Sequence, residues 1–149
     1  MPSKNLILNQ TIDIIVDFII WQGRILDLFL YSIDRQYLPV SNPCGEMVCL
    51  YTRMDYLREA MPFDRILTLL YVASVSERGA VFKFEFFRDY TDGRKEKLHV
   101  GEQEVFWVVR DAKGVPSSAP WPPEILQVLT QEQGYPQPLD VIINVGSRE

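Results

Sequence analysis

One stretch constrains this chain more than any other: Ile14 to Ile33, IIVDFIIWQGRILDLFLYSI. Wound as a helix, its apolar residues surround the axis instead of forming a single stripe. Such a helix has to be covered, either by lipid or by protein. A bilayer span takes about 20 apolar residues. Here Asp17, Gln22, Arg24 and Asp27 would lie in the hydrocarbon, where a charge costs several kcal/mol. No membrane span follows; the stretch reads as a central helix, about 13–37, wrapped by a sheet.

The remaining pattern supplies that sheet. Residues 5–9 make a short apolar run, and Asn9, Thr11 or Asp13 can cap the helix that follows. Leu38-Pro39 ends the helix, because the residue before proline leaves the helical region. Strands are predicted over 47–56, 65–76, 80–90 and 95–110. The third of these alternates plainly, with Phe82, Phe84 and Phe86 on one face and Lys83 and Glu85 on the other. Asp92-Gly93 is a hairpin signal. Gly23 and Gly101 each suggest a close approach or a bulge. A proline-rich link leads to a short helix at about 122–133, closed by Gly134. The tail 135–149 reads as extended, with one β-like run from Val141 to Val145. A short strand, a buried helix and four antiparallel strands in a meander give an α+β chain with one domain over 1–149. That is the order of a hot-dog fold, a curled antiparallel sheet wrapped around one long central helix.

Composition narrows the function classes. Lys and Arg number 15 against 20 Asp and Glu, a net charge of -5. The cations are scattered, so no phosphate-reading patch forms and no nucleic acid is expected. Cys44 and Cys49 are ordinary for a reducing cytosol. With His99 as the only histidine, they make no zinc site. No secretory leader is read at the start, so the cytoplasm is the expected compartment. There is no GxSxG nucleophile elbow, which excludes an α/β-hydrolase thioesterase, and no phosphate-cradling glycine loop, so ATP and NAD are not implied; no cofactor and no metal are expected. Cys44 or Cys49 with His99 could pair as nucleophile and base only if the fold joined them.

Three stretches resemble one family. Trp21-Gln22-Gly23-Arg24 with Leu28-Phe29-Leu30 is similar to the WQGR…FL helix of hot-dog thioesterases from enediyne polyketide pathways, within the 4-hydroxybenzoyl-CoA thioesterase-like group. Asp55-Tyr56-Leu57-Arg58-Glu59 with Phe63-Asp64, and Gly101-Glu102-Gln103-Glu104-Val105, match in the same order. Together they span about residues 9–125. The resemblance implies hydrolysis of an acyl thioester on CoA or a carrier protein, releasing a polyketide or polyene product. It also implies a homodimer or tetramer with active sites at subunit boundaries. Two departures stand out. The start of the helix, Thr11 to Asp17, lacks the family's glycine and tyrosines, and Leu26 replaces an arginine. They support an alternative, a weak or inactive member that binds an acyl chain or a synthase partner.

Thioester hydrolysis needs a polarised carbonyl and an oriented water. Unpaired amides at a helix N-terminus, here around Asp13 to Val16, can polarise the carbonyl. Asn9, Asp13 and Asp17 are the candidates to hold the water, and each also has a bland role as turn, cap or paired charge. Arg24 is the candidate for the substrate's polar end, or else pairs with Asp27 or Asp17. Val16, Ile20, Trp21 and Glu59 are the candidate substrate contacts. Glu102 and Glu104, on one face of the last long strand, are weaker acid candidates.

Overall fold

The computed structural model describes residues 4–11, 16–33, 45–61 and 64–146, and side chains within 21–33, 45–61 and 64–136. The order is β1 (Lys4–Thr11), α1 (Val16–Ile33), β2 (Glu46–Tyr56), β3 (Arg65–Val75), β4 (Gly79–Asp89), β5 (Lys95–Arg110), β6 (Pro116–Ser118), α2 (Pro123–Glu132) and β7 (Pro136–Gly146). The strands form one sheet in the order β1-β7-β3-β4-β5-β2, with β6 added at the end of β5. All neighbours are antiparallel except β1 and β7, which run parallel.

Two expectations change here. The four strands are not a simple meander: β3, β4 and β5 are, but β2 crosses over to pair with β5, from Glu46↔Val108 to Tyr56↔His99. The tail is more than an extended segment. It forms the full strand β7, inserted between β1 and β3. Its prolines argued against that position, since proline breaks the ladder of an inner strand; Pro136 and Pro138 nevertheless stand opposite Tyr71 and Leu69.

α1 is covered on one side only. Trp21, Gln22, Ile25, Leu26, Phe29 and Leu30 are buried, an i, i+1, i+4, i+5 pattern that faces the sheet. Arg24 is exposed, and Gly23, Asp27, Leu28, Tyr31, Ser32 and Ile33 are half-buried. The apolar residues on that second side made the sequence look as if it had to be enclosed all round. No helix among the described residues is long and apolar enough to cross a membrane. Beneath α1 lie Phe82, Phe84 and Phe86 of β4 with Ile66, Leu70 and Val72 of β3, all fully buried. Burying each large side chain contributes about 1.5–3 kcal/mol.

α2 and the link before it close one end of this core. Trp121 donates from Nε1 to the Gly79 carbonyl at 3.0 Å. Its ring lies 5.6 Å from Trp107, and Ile125 and Leu129 join the same cluster. Gly45 lies so close to Trp107 that a Cβ would come within 2.7 Å of the indole, and its φ of +137° suits glycine as well. Trp107 and the three phenylalanines are therefore core residues.

Candidate active site at the start of the central helix

The packing of α1 sets the direction of its N-terminus. Near its C-terminal end, Phe29 meets Phe82 of β4 edge-on at 6.1 Å. Two turns earlier Gln22 lies over β5, where Gln103 Nε2 donates to Gln22 Oε1 at 3.1 Å. Between these two contacts the helix passes from β4 to β5. Val16 lies about 9 Å before Gln22 along the axis. The first amides of α1 have no acceptor within the helix, and the positive end of its dipole lies there. Such a terminus can hold an oxyanion.

Gly101 shows why Gln22 fits. A Cβ at position 101 would stand 1.6 Å from Gln22 Nε2. The close approach expected of Gly101 is real, but its partner is a helix side chain rather than another backbone. Bulges fall elsewhere, between Cys49 and Tyr51 and between Phe86 and Phe87. At Gly23 the expectation of close packing fails: a Cβ there would meet nothing described within 4 Å.

On the β2 side, Tyr56 ends the edge strand and its ring packs against buried His99 at 5.4 Å, tilted by 52°. His99 stacks in turn on Phe86 at 4.1 Å. Burial pulls the His99 pKa down to about 3, so the ring is neutral at ordinary pH. No Cys49–His99 dyad forms. Cys49 pairs with Val105 and His99 with Tyr56 along the same ladder, about 20 Å apart. Cys44 lies outside the described residues.

After β2, Glu59 and Asp64 are both held by Arg88 of β4. Arg88 Nε donates to Asp64 Oδ2 at 2.8 Å and Nη2 to the Glu59 carbonyl at 2.6 Å. Nη1 reaches the Glu96 carboxylate, which Arg58 also meets at 3.2 Å. The members of this hub are scattered over three stretches of the chain, and no local pattern joins them.

The sequence-derived candidates distribute as follows. Asn9 lies in β1, opposite Asn144 of β7. Val16, Asp17 and Ile20 lie in the first turns of α1. Asp13 lies outside the described residues. Trp21 is fully buried in the core cluster. Arg24 is exposed and, among the described residues, makes no ion pair with Asp27; burial raises the Asp27 pKa. Glu59 is exposed and held through its backbone. Leu26 is 3% exposed within the core. Glu102 and Glu104 pair with Lys83 and Val81 on the sheet face away from α1, apart from the start of the helix.

Comparison with solved structures identifies the fold. The dynemicin thioesterase, in crystal structures described for induced-fit and allosteric effects upon polyene binding, superposes with a TM-score of 0.68 at 19% identity, over 78% of this chain and 82% of that one. The 4-hydroxybenzoyl-CoA thioesterase of Pseudomonas sp. strain CBS-3 gives 0.65 at 10% identity, covering 80% and 94%. A 1,4-dihydroxy-2-naphthoyl-CoA thioesterase from Synechocystis gives 0.63 at 13% identity, covering 78% and 81%. No protein-family model matches the chain, and comparison with curated proteins gives no match. The chain has the hot-dog fold that these thioesterases share.

Proposed function

We propose that the chain is a thioester hydrolase acting on an acyl-CoA. The observation that carries this reading is the hot-dog fold, shared with three proteins named as thioesterases. It is supported by a central helix whose first amides have no acceptor within the helix. In this reading the first amides of α1 bind the thioester oxygen as it gains charge. Asn9, Asp13 and Asp17 hold the attacking water, and general-base help of this kind is worth about 10²–10⁴ in rate. Arg24, exposed, meets the polar end of the substrate, and Val16, Ile20, Trp21 and Glu59 shape its surroundings. The finer substrate is an acyl group on a carrier protein, released as a polyketide or polyene acid.

The active unit is a homodimer, or a tetramer made of two such dimers. In support, β2 is an 11-residue strand at the end of the sheet, with β5 as its one neighbour among the described residues, and Val48, Leu50, Tyr51 and Tyr56 are exposed along it. An uncovered edge of this length is a template for a second strand. The exposed free thiol of Cys49 suits a reducing compartment such as the cytoplasm. One observation favours a second reading, acyl binding without turnover: Leu26, where the resemblance implies an arginine, is buried in the core.

Thiol release from a panel of medium- and long-chain acyl-CoA and acyl-carrier thioesters separates the two. Turnover on any of them supports the hydrolase. Binding with no turnover on all of them supports the second reading and removes the first.

A further inference from the structure

Two contacts of different kinds hold α1 to the sheet. Phe29 meets the Phe82 ring edge-on at 6.1 Å, and Gln22 accepts from Gln103 Nε2 at 3.1 Å. Apolar packing is non-directional and tolerates a small slide or tilt. A hydrogen bond between buried amides does not, because it weakens steeply with distance and angle. Gln22 is 0% exposed and Gln103 5%. Among the described residues, theirs is the one side-chain hydrogen bond that joins α1 to the sheet.

The pair is kept at a cost in stability. Gln22 Nε2 has no acceptor among the described residues, and a buried amide donor without a partner is unfavourable. Two apolar side chains of the same shape would be about as stable here. Gly101 makes the room, since a Cβ there would stand 1.6 Å from that nitrogen. Two glutamines and a glycine therefore seat one amide, and stability does not account for the arrangement.

We propose that Gln22 and Gln103 are positioning residues for thioester hydrolysis, an inference that rests on reading the first amides of α1 as the oxyanion site. Val16 lies about 20 Å from Phe29 along the helix axis, and Gln22 stands between them. Pivoting on the Phe29 contact, a tilt of about 3° moves the first amides by about 1 Å. A misplacement of that size can cost about 10²-fold in rate. The amide pair removes this freedom. Both glutamines are buried, so they act through the helix and not on the substrate.

The test combines steady-state kinetics on the best acyl-CoA substrate, thermal melts, and hydrogen exchange over residues 16–22. Gln103→Leu and Gln22→Leu are each expected to lower kcat about tenfold to a hundredfold, with KM within about threefold. The double variant Gln22→Leu/Gln103→Leu is expected to regain the wild-type melting temperature but not its kcat, and to lose no more kcat than either single change. Ile25→Val weakens the same buried face without touching the pair, and is expected to keep kcat within about twofold. Exchange is expected to quicken about tenfold in Gln103→Leu and in the double variant, but not in Ile25→Val. Wild-type kcat in the double variant overturns the inference, as do losses of kcat that follow the melting temperature across all four variants. If the wild type turns over no thioester, the hydrolase reading falls and exchange alone decides. Equal exchange in Ile25→Val and the double variant then overturns the inference, and faster exchange in the double variant upholds the positioning of the helix start.

Discussion

The two faces of the sheet obey different rules. Toward α1, Phe82, Phe84, Phe86, Leu70 and Val72 are fully buried, and the polar groups among them are few and enclosed. On the opposite face, charges and half-buried apolar residues share the same strands, one position out of step. A strand alternates its side chains, so a single sequence specifies both surfaces. The inner set determines whether the chain folds, and the outer set is left free to determine what it meets.

Changes on the two faces should therefore differ in cost. Phe84→Ala removes a fully buried ring and is expected to cost about 3–5 kcal/mol in denaturant unfolding. A loss below about 1 kcal/mol would mean that the phenylalanine stack is not the core. The next effect is acid-dependent. His99 has its pKa lowered from 6.5 to about 3, so below pH 6.5 the unfolded chain binds a proton that the folded chain refuses. Its contribution is complete above that pH and declines as the pH falls toward 3, by on the order of 3 kcal/mol at pH 4. His99→Gln should flatten this part of the stability–pH curve, and an unchanged curve would assign the acid sensitivity elsewhere.

Gly101→Ala places a Cβ 1.6 Å from Gln22 Nε2 and should cost about 1–3 kcal/mol. In the Gln22→Ala background the same change should cost at least about 1 kcal/mol less. Additive costs would show that the two residues do not meet. At the small end, Lys83→Ala on the outer face should change the stability of the isolated chain by no more than about 0.5 kcal/mol.

The inner face was legible because burial forces a period. Alternation gave β4 from Phe82 to Phe86, and the predicted bounds of β5, 95–110, are those observed. Strand order was not legible, because nothing in β2 names β5 as its neighbour, and a crossover has no local signature. β7 was hidden by prolines that a ladder ordinarily rejects. The Arg88 hub joins the Asp64 and Glu96 carboxylates and the Glu59 carbonyl, residues that look like separate surface charges in the sequence.

The candidate site was legible to a different degree. Trp21-Gln22-Gly23-Arg24 pointed to the helix and the fold, and Gln22 explains Gly101. At the start of the helix, short polar residues such as Asn9, Asp13 and Asp17 serve equally well as caps, turns or water holders. Their spacing alone does not choose between these roles.

The central claim concerns the start of α1, and the most direct measurement compares it with the outer sheet face. Steady-state hydrolysis of the best acyl-CoA substrate should be measured for Asn9→Ala, Asp17→Asn and Glu104→Gln. The account predicts that Asn9→Ala or Asp17→Asn lowers kcat/KM by about 10²–10⁴ in protein that still melts cooperatively, while Glu104→Gln stays within about twofold of the wild type. Wild-type kcat/KM in both helix-start variants, or a large loss in Glu104→Gln alone, would contradict it.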